Sequence, residues 1–150
     1  MGAQMKPDDI ILNEELRRDE GVRYSPYFDT VNVQTVGVGH NMEAKPLPTL
    51  WKFPLNDTQV NRILAGDLAD VFDDLDRSLP WWRTLSYARQ RVIVNMCFNL
   101  GLQGLLGFVN TLTFVKNGKY EQAARNMLAS KWAKQVGNRS VRLAEMMRNG

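Results

Sequence analysis

Apolar and polar positions along the 150-residue chain follow two different rhythms. Residues 8–20 read as a short helix. Ile10, Ile11, Leu12 and Leu16 supply its apolar side, Asp8 or Asp9 can cap it, and Gly21 follows where a helix C-terminus commonly takes glycine. Residues 22–40 change to Val33, Val36 and Val38 with Tyr24, Tyr27 and Phe28, interrupted by Asp29-Thr30 and Asn32. That pattern predicts a small antiparallel hairpin or sheet. Pro46, Pro48 and Pro54 make residues 41–55 an irregular loop. Asn56 with Gln59 then fits a capping box. Apolar residues recur at helical spacing through Val60, Ile63, Leu64, Leu68, Val71, Phe72, Leu75 and Leu79, until Pro80 ends the helix. Beyond residue 80 only helices are predicted. One runs from Ser86 to Leu100 and ends at Gly101, a turn or short helix covers 102–106, and another covers 108–116 before Asn117-Gly118. Two more lie near 119–129 and 138–148, with Asn138 a candidate cap. One small sheet early and many helices late predict an α+β fold.

Composition narrows the class. With 44% hydrophobic and 23% charged residues the chain can bury the core of one domain, which excludes general disorder. Cys97 is the single cysteine, so no internal disulfide and no Cys/His metal cluster is expected, and no cofactor motif stands out. No apolar run reaches the ~18 residues of a membrane-spanning helix. Met1 to Asp9, with Lys6, Asp8 and Asp9 and no apolar core, predicts no secretory signal and a protein made soluble in a cytoplasm. The net charge of +3 is unevenly spread. Residues 1–75 hold 7 Lys+Arg against 13 Asp+Glu, a net of −6, and residues 76–150 hold 12 against 3, a net of +9. The basic half suggests an anionic partner, either nucleic acid or cell envelope.

Candidate chemistry is sparse. His40 is the only histidine, no serine elbow occurs, and Gly37-Val38-Gly39 leads to His40 rather than to a helix, so neither a catalytic triad nor a phosphate loop is predicted. What remains is a carboxylate pair, Glu20 and Asp29, with Thr35 nearby. Glycoside hydrolysis needs two carboxylates, one protonated to donate to the leaving oxygen and one ionised to handle water or developing positive charge. Glu20 sits at the carboxyl end of a helix, where the macrodipole disfavours negative charge and so suits a proton donor. Asp29 sits at the tip of a sheet connection, where solvation suits the ionised form. Nine residues could separate the two by roughly 30 Å if extended. A folded-back strand could instead bring them within the ~6.5–9.5 Å of an inverting pair. With 16 acidic residues in the chain, such a pair alone is more often surface charge than chemistry.

Longer strings carry more information. Leu16-Arg17-Arg18-Asp19-Glu20-Gly21-Val22-Arg23, Tyr27-Phe28-Asp29-Thr30 and Thr35-Val36-Gly37-Val38-Gly39-His40 together resemble the T-even phage lysozymes, endolysins that cleave peptidoglycan. The spacing Glu-x8-Asp-x5-Thr is kept. The resemblance continues through Asn95 to Gly101, Gly107 to Leu112, Glu121-Gln122-Ala123-Ala124, Lys131-Trp132 and Asn138 to Arg142, and lapses only in the proline loop at 41–55.

The resemblance implies a single two-lobed, lysozyme-like domain over residues 1–150. A small α+β lobe at about 1–55 is joined by a long helix at 56–79 to a helical lobe at 80–150, with a cleft between them. It implies that Glu20 is the general acid and that Asp29 with Thr35 positions the water attacking the anomeric carbon. The bond is the β-1,4 link from N-acetylmuramic acid to N-acetylglucosamine, cleaved with inversion. Arg139 matches an arginine that reaches the catalytic glutamate, and Phe98, Asn99, Asn126 and Trp132 match substrate-binding or near-cleft positions that could equally be helix packing. His40, more often structural than catalytic when alone, pairs by resemblance with Asp67. Val31, Asn99 and Val136 depart from the family pattern and affect sugar and peptide contacts rather than the reaction class. Trp51, Trp81 and Trp82 have no counterparts; the last two read as the start of the helical lobe's core, and Cys97 as a buried helix residue. The implied protein is a monomeric endolysin with peptidoglycan as substrate and neither nucleic acid nor a membrane anchor as partner. It waits in the host cytoplasm for a holin before reaching the periplasmic wall. Two rival readings are a nucleic-acid-binding helical module, which would explain the basic half, and a lysozyme-like domain of a phage tail or a bacteriocin.

Overall fold

Helix α1 (Ile10–Glu20) starts where Asp9 accepts a hydrogen bond from the Leu12 amide at 2.9 Å, and stops at Gly21, whose N–H closes the last turn on the Arg17 carbonyl. The chain then forms an antiparallel sheet of three strands in sequence order, β1 (Arg23–Phe28), β2 (Gln34–Gly37) and β3 (His40–Asn41). Tyr27 pairs with Thr35 and Phe28 with Gln34, but the β1–β2 register slips between Arg23 and Tyr27. Pro26 lies in the slipped stretch, where its missing N–H could not have joined the ladder. A computed structural model describes residues 4–150. Residues 1–3, the start of the small lobe expected at 1–55, lie outside the described residues.

Helix α2 (Asp57–Ser78) is the longest. Its capping box is reciprocal: the Gln59 amide donates to Asn56 Oδ1 at 2.8 Å, and the Asn56 amide donates to Gln59 Oε1 at 2.9 Å. Val60, Ile63, Leu64, Leu68, Phe72 and Leu75 are its buried face. The chain divides into two compact units, Met1–Asp70 and Val71–Gly150, and the division falls inside α2. In the first unit, Leu12 and Leu16 of α1, Val36 of β2 and Val60, Leu64 and Leu68 of α2 are buried. Arg17 donates to Asn61 and Asp57, and the Tyr24 hydroxyl donates to Asp57 at 2.7 Å, so α1, β1 and the start of α2 share one polar network.

The second unit is helical. A 3-10 turn, Pro80–Thr84, buries Trp82, while Trp81 is half-buried. The Trp82 indole N–H and the Arg83 guanidinium both donate to Asp76, fixing that turn to the end of α2. Helix α3 (Tyr87–Leu106) is capped by Ser86 and interrupted at Gly101, and it buries Cys97, whose thiol is pushed up to about 11 by desolvation. Helices α4 (Val109–Lys116), α5 (Tyr120–Leu128), α6 (Lys131–Val136) and α7 (Asn138–Asn149) complete it. The α+β class read from the sequence is the observed one. Two local readings change. Residues 131–136, passed over in the sequence, form α6 behind a Ser130 cap. Asn138 caps nothing: it is the first residue of α7, and Gly137 at φ 59° both ends α6 and precedes α7. A one-residue link between two helices needs that left-handed backbone, which glycine adopts without strain. Among the described residues no single helix is long and apolar enough to cross a membrane, and no His/Cys/Asp/Glu group could hold a metal ion.

Asn56→Ala removes half of the capping box and is expected to cost about 1 kcal/mol, read as a lower urea midpoint at unchanged slope. An unchanged midpoint would show that the box contributes nothing to the start of α2.

Candidate active site

The first unit brings Glu20, Asp29 and Thr35 onto one helix end and one hairpin. Glu20 is the last residue of α1 and is half-buried. Its carboxyl group lies against the β2–β3 turn. A Cβ at position 39 would sit 2.9 Å from Glu20 Oε1 and 3.6 Å from its carboxyl carbon, so the space beside the carboxylate exists because residue 39 is Gly. Gly39 also has φ +65°, a conformation that an L side chain strains. Two independent constraints therefore select glycine at this turn.

Asp29 follows β1, and its side chain is built into its own loop. Oδ1 accepts from the Val31 amide at 3.0 Å and the Val33 amide at 2.8 Å. Oδ2 has no protein hydrogen-bond partner among the described residues. The Asp29 amide donates to the Val33 carbonyl at 3.0 Å. The Thr35 hydroxyl, buried in β2, donates to that same carbonyl at 2.8 Å. Because a carbonyl oxygen can only accept, the hydroxyl hydrogen is committed and Thr35 Oγ1 offers only lone pairs to anything else. One carbonyl thus links the two residues and leaves two acceptors, Asp29 Oδ2 and Thr35 Oγ1.

His40, the first residue of β3, is buried, and its ring meets two acceptors. Nδ1 lies 2.7 Å from Asp67 Oδ2 and Nε2 lies 2.8 Å from the Lys45 carbonyl. Carboxylate and carbonyl both accept, so both ring nitrogens donate and the ring is the imidazolium. Burial opposes that charge, but the hydrogen bond and charge of Asp67, with the Lys45 carbonyl, outweigh it and hold the pKa above the ordinary histidine value. The group ties the loop after β3 to α2.

Residues expected near substrate in the helical part lie in the second unit. Asn126 and Trp132 line a pocket of about 380 Å³, together with Phe108, Asn110, Ser130 and Lys131. Trp132 is buried, its indole N–H donates to Asn99 Oδ1 at 2.7 Å, and its ring meets Phe108 edge-on at 5.9 Å. Asn126 accepts from the Thr111 hydroxyl. Phe98 is half-buried on α3 and does not line this pocket. Arg139 is buried at the start of α7 and donates to Asn95 at 3.0 Å. Sequence reasoning missed Gly39, the Val33 carbonyl, and the pocket walls Phe108, Ser130 and Lys131. Of these, Gly39, Phe108 and Lys131 lay inside strings that carry the resemblance, but nothing in those strings marked them as site residues; the Val33 carbonyl and Ser130 left no signal.

A family model described as phage lysozyme matches residues 17–148. The pre-baseplate central spike protein Gp5 of Enterobacteria phage T4 is 29% identical over an alignment that takes in 93% of this chain and 28% of that protein. Probable T4-type lysozymes 1 and 2 of Dictyostelium discoideum are each 23% identical, across 93% of this chain and 94% of each relative. The chain therefore spans little more than a quarter of the spike protein and nearly the whole of the two lysozymes.

The raised His40 pKa makes stability depend on pH. The native state holds this proton more tightly than the unfolded chain, so the contribution is complete just below the unfolded value of about 6.5 and is lost as pH rises through the folded one. The difference in unfolding free energy between wild type and His40→Asn is expected to be largest near pH ~6 and to shrink in more alkaline buffer. A difference that stays constant up to pH ~10 would contradict the imidazolium assignment.

Proposed function

This chain belongs to the phage lysozyme family, and we propose that it hydrolyses the β-1,4 bond between N-acetylmuramic acid and N-acetylglucosamine in bacterial peptidoglycan. The observation that carries the reaction is the pair of acceptors left by the Val33 carbonyl. A water molecule has two hydrogens. With one directed to Asp29 Oδ2 and the other to Thr35 Oγ1, its lone pair is left for the anomeric carbon. As the water oxygen bonds to that carbon, the carbon–oxygen bond to the leaving sugar breaks. Protonated Glu20 gives its hydrogen to the leaving oxygen, and Asp29 takes the proton that water sheds. Water attacks from the face opposite the leaving group, so the product inverts. A covalent route would need the carboxylate oxygen of Asp29 to reach the sugar, the place that this proposal gives to the water.

Asn126, Trp132 and the 380 Å³ pocket of the second unit are assigned to binding of the glycan or its peptide, as are Asn99 beneath the Trp132 indole and Phe98. Arg139 is assigned to the electrostatics of the site. The proposed role is that of a monomeric endolysin that accumulates in the host cytoplasm and needs a holin to reach the wall, releasing phage progeny by lysis. The similarity over nearly the full length of two lysozymes supports the lysozyme reading. The 29% identity to a stretch of a phage spike protein favours a second reading, a wall-cutting part of the phage particle. Antibody against this chain separates them: the endolysin reading requires the protein in lysates and its absence from purified particles.

Glu20→Gln is expected to lower the release of reducing ends from peptidoglycan by about 10²–10⁴-fold with little change in thermal midpoint, and Asp29→Asn by at least about 10²-fold. Cleavage by the Gln variant at the wild-type rate would remove Glu20 from the mechanism, and products with anhydro-muramic ends would mean a lytic transglycosylase. Gly39→Ala places a methyl group against the Glu20 carboxylate. It is expected to reduce kcat by at least about tenfold in a protein that still folds, the strained turn costing on the order of 1–2 kcal/mol. Full activity in a folded Ala variant would show that the close approach does not position Glu20.

A further inference from the structure

The proline loop after β3 forms a concavity in the first unit. It has a volume of about 170 Å³; Pro46, Leu47, Pro48, Trp51 and Ile63 form its apolar side, and His40, Lys45 and Asp67 line it as well. The walls are mostly apolar. The charged part of the lining is His40, Lys45 and Asp67 together with the Arg62 guanidinium, which is exposed and lies 5.7 Å over the Trp51 ring. Among the described residues no carboxylate pairs with it.

The other charged residues of the lining are already matched. Asp67 is held by the His40 imidazolium at 2.7 Å and by Lys45 at 3.7 Å, and Lys45 pairs with Asp70 at 2.7 Å. Three cations, His40, Lys45 and Arg62, face two anions, Asp67 and Asp70, which leaves one positive charge, on Arg62. A cavity of this size with apolar walls takes a small aliphatic side chain. A planar guanidinium at its mouth takes a carboxylate in two parallel hydrogen bonds. A neutral sugar could stack on Trp51 but would leave Arg62 without a counter-charge.

We propose that this pocket binds the free carboxylate end of a short peptide, its small aliphatic side chain seated against Trp51 and Ile63 and its carboxylate on Arg62. The inference rests on the wall-hydrolase reading, because peptides attached to wall glycan end in free carboxylates on small residues. The pocket is then a docking point for uncross-linked peptide, apart from Glu20, Asp29 and Thr35 and with no part in bond cleavage. It holds the enzyme on peptide-bearing wall between cuts.

The test is a titration of the ¹⁵N-labelled full chain with N-acetyl-D-alanyl-D-alanine, with its C-terminal amide, and with a neutral N-acetylglucosamine trisaccharide, read at the Trp51 indole and Arg62 Nε resonances. The acid is expected to shift both and to saturate. The amide should bind roughly fivefold more weakly, and Arg62→Gln should weaken binding of the acid by a similar factor. Arg62→Gln should also release wild-type-like amounts of reducing ends from peptide-free glycan while losing activity on peptide-bearing wall. Equal binding of acid and amide, an unmoved Trp51 indole, or a Trp51 shift by the trisaccharide alone would overturn the proposal. The titration involves no turnover, so failure of wild type to cleave any glycan would overturn the hydrolase reading while leaving the binding result to stand separately.

Discussion

One carbonyl oxygen, that of Val33, holds the proposed reaction site together. It accepts the Asp29 amide and the Thr35 hydroxyl at once, which uses both of its lone pairs and closes the loop between β1 and β2. Two consequences follow from that single group. The Asp29 side chain is turned back onto the Val31 and Val33 amides, so one oxygen is committed to the backbone and the other has no protein hydrogen-bond partner among the described residues. The Thr35 hydroxyl is converted from a donor into an acceptor. A loop that spent the Val33 carbonyl on an ordinary strand ladder would leave Thr35 free to donate, and a donor there would compete with the water for Asp29.

Helix capping, by contrast, was written plainly in the chain. The Asn56–Gln59 box and the Asp9 cap are contacts within four residues, and local chemistry of this kind survives folding unchanged. The α6 helix was not legible because its six residues carry one large apolar side chain, Trp132, too few to show a period. Asn138 has the right residue type for a cap, but the turn at Gly137 reaches it first. The same division applies to the site. Glu20, Asp29 and Thr35 were visible as spacing, and the string around Gly39 as a resemblance. The approach of the turn to Glu20 is a tertiary contact between residues 19 apart, which no local pattern encodes. Ser130 as a pocket wall was invisible for the same reason, and Phe108 was visible only as part of a matching string: a cavity is a property of shape, and its lining residues are ordinary ones.

Electrostatics divides the work within the first unit. His40 carries a charge although it is buried, because Asp67 and the Lys45 carbonyl accept both of its protons. That arrangement ties the loop after β3 to α2, and it offsets the Asp67 carboxylate that lines the concavity beside Trp51. The acidic balance of the first half of the sequence thus resolves into carboxylates with separate tasks: Glu20 and Asp29 at the proposed reaction, Asp57 in the Arg17–Tyr24 network, Asp67 and Asp70 on His40 and Lys45. In the proposed wall hydrolase the basic second half would complement an anionic wall, an attraction expected to weaken as salt rises.

The claim that unites these observations is that Asp29 and Thr35 hold a water rather than present a nucleophile. The anomeric form of the first sugar released tests it most directly, followed by proton NMR during digestion of soluble peptidoglycan strands, before mutarotation scrambles it. A water held by Asp29 and Thr35 predicts that the β-linked substrate yields the α-anomer first. Initial release of the β-anomer would contradict the account, because it would require a covalent or substrate-assisted step that this arrangement does not provide.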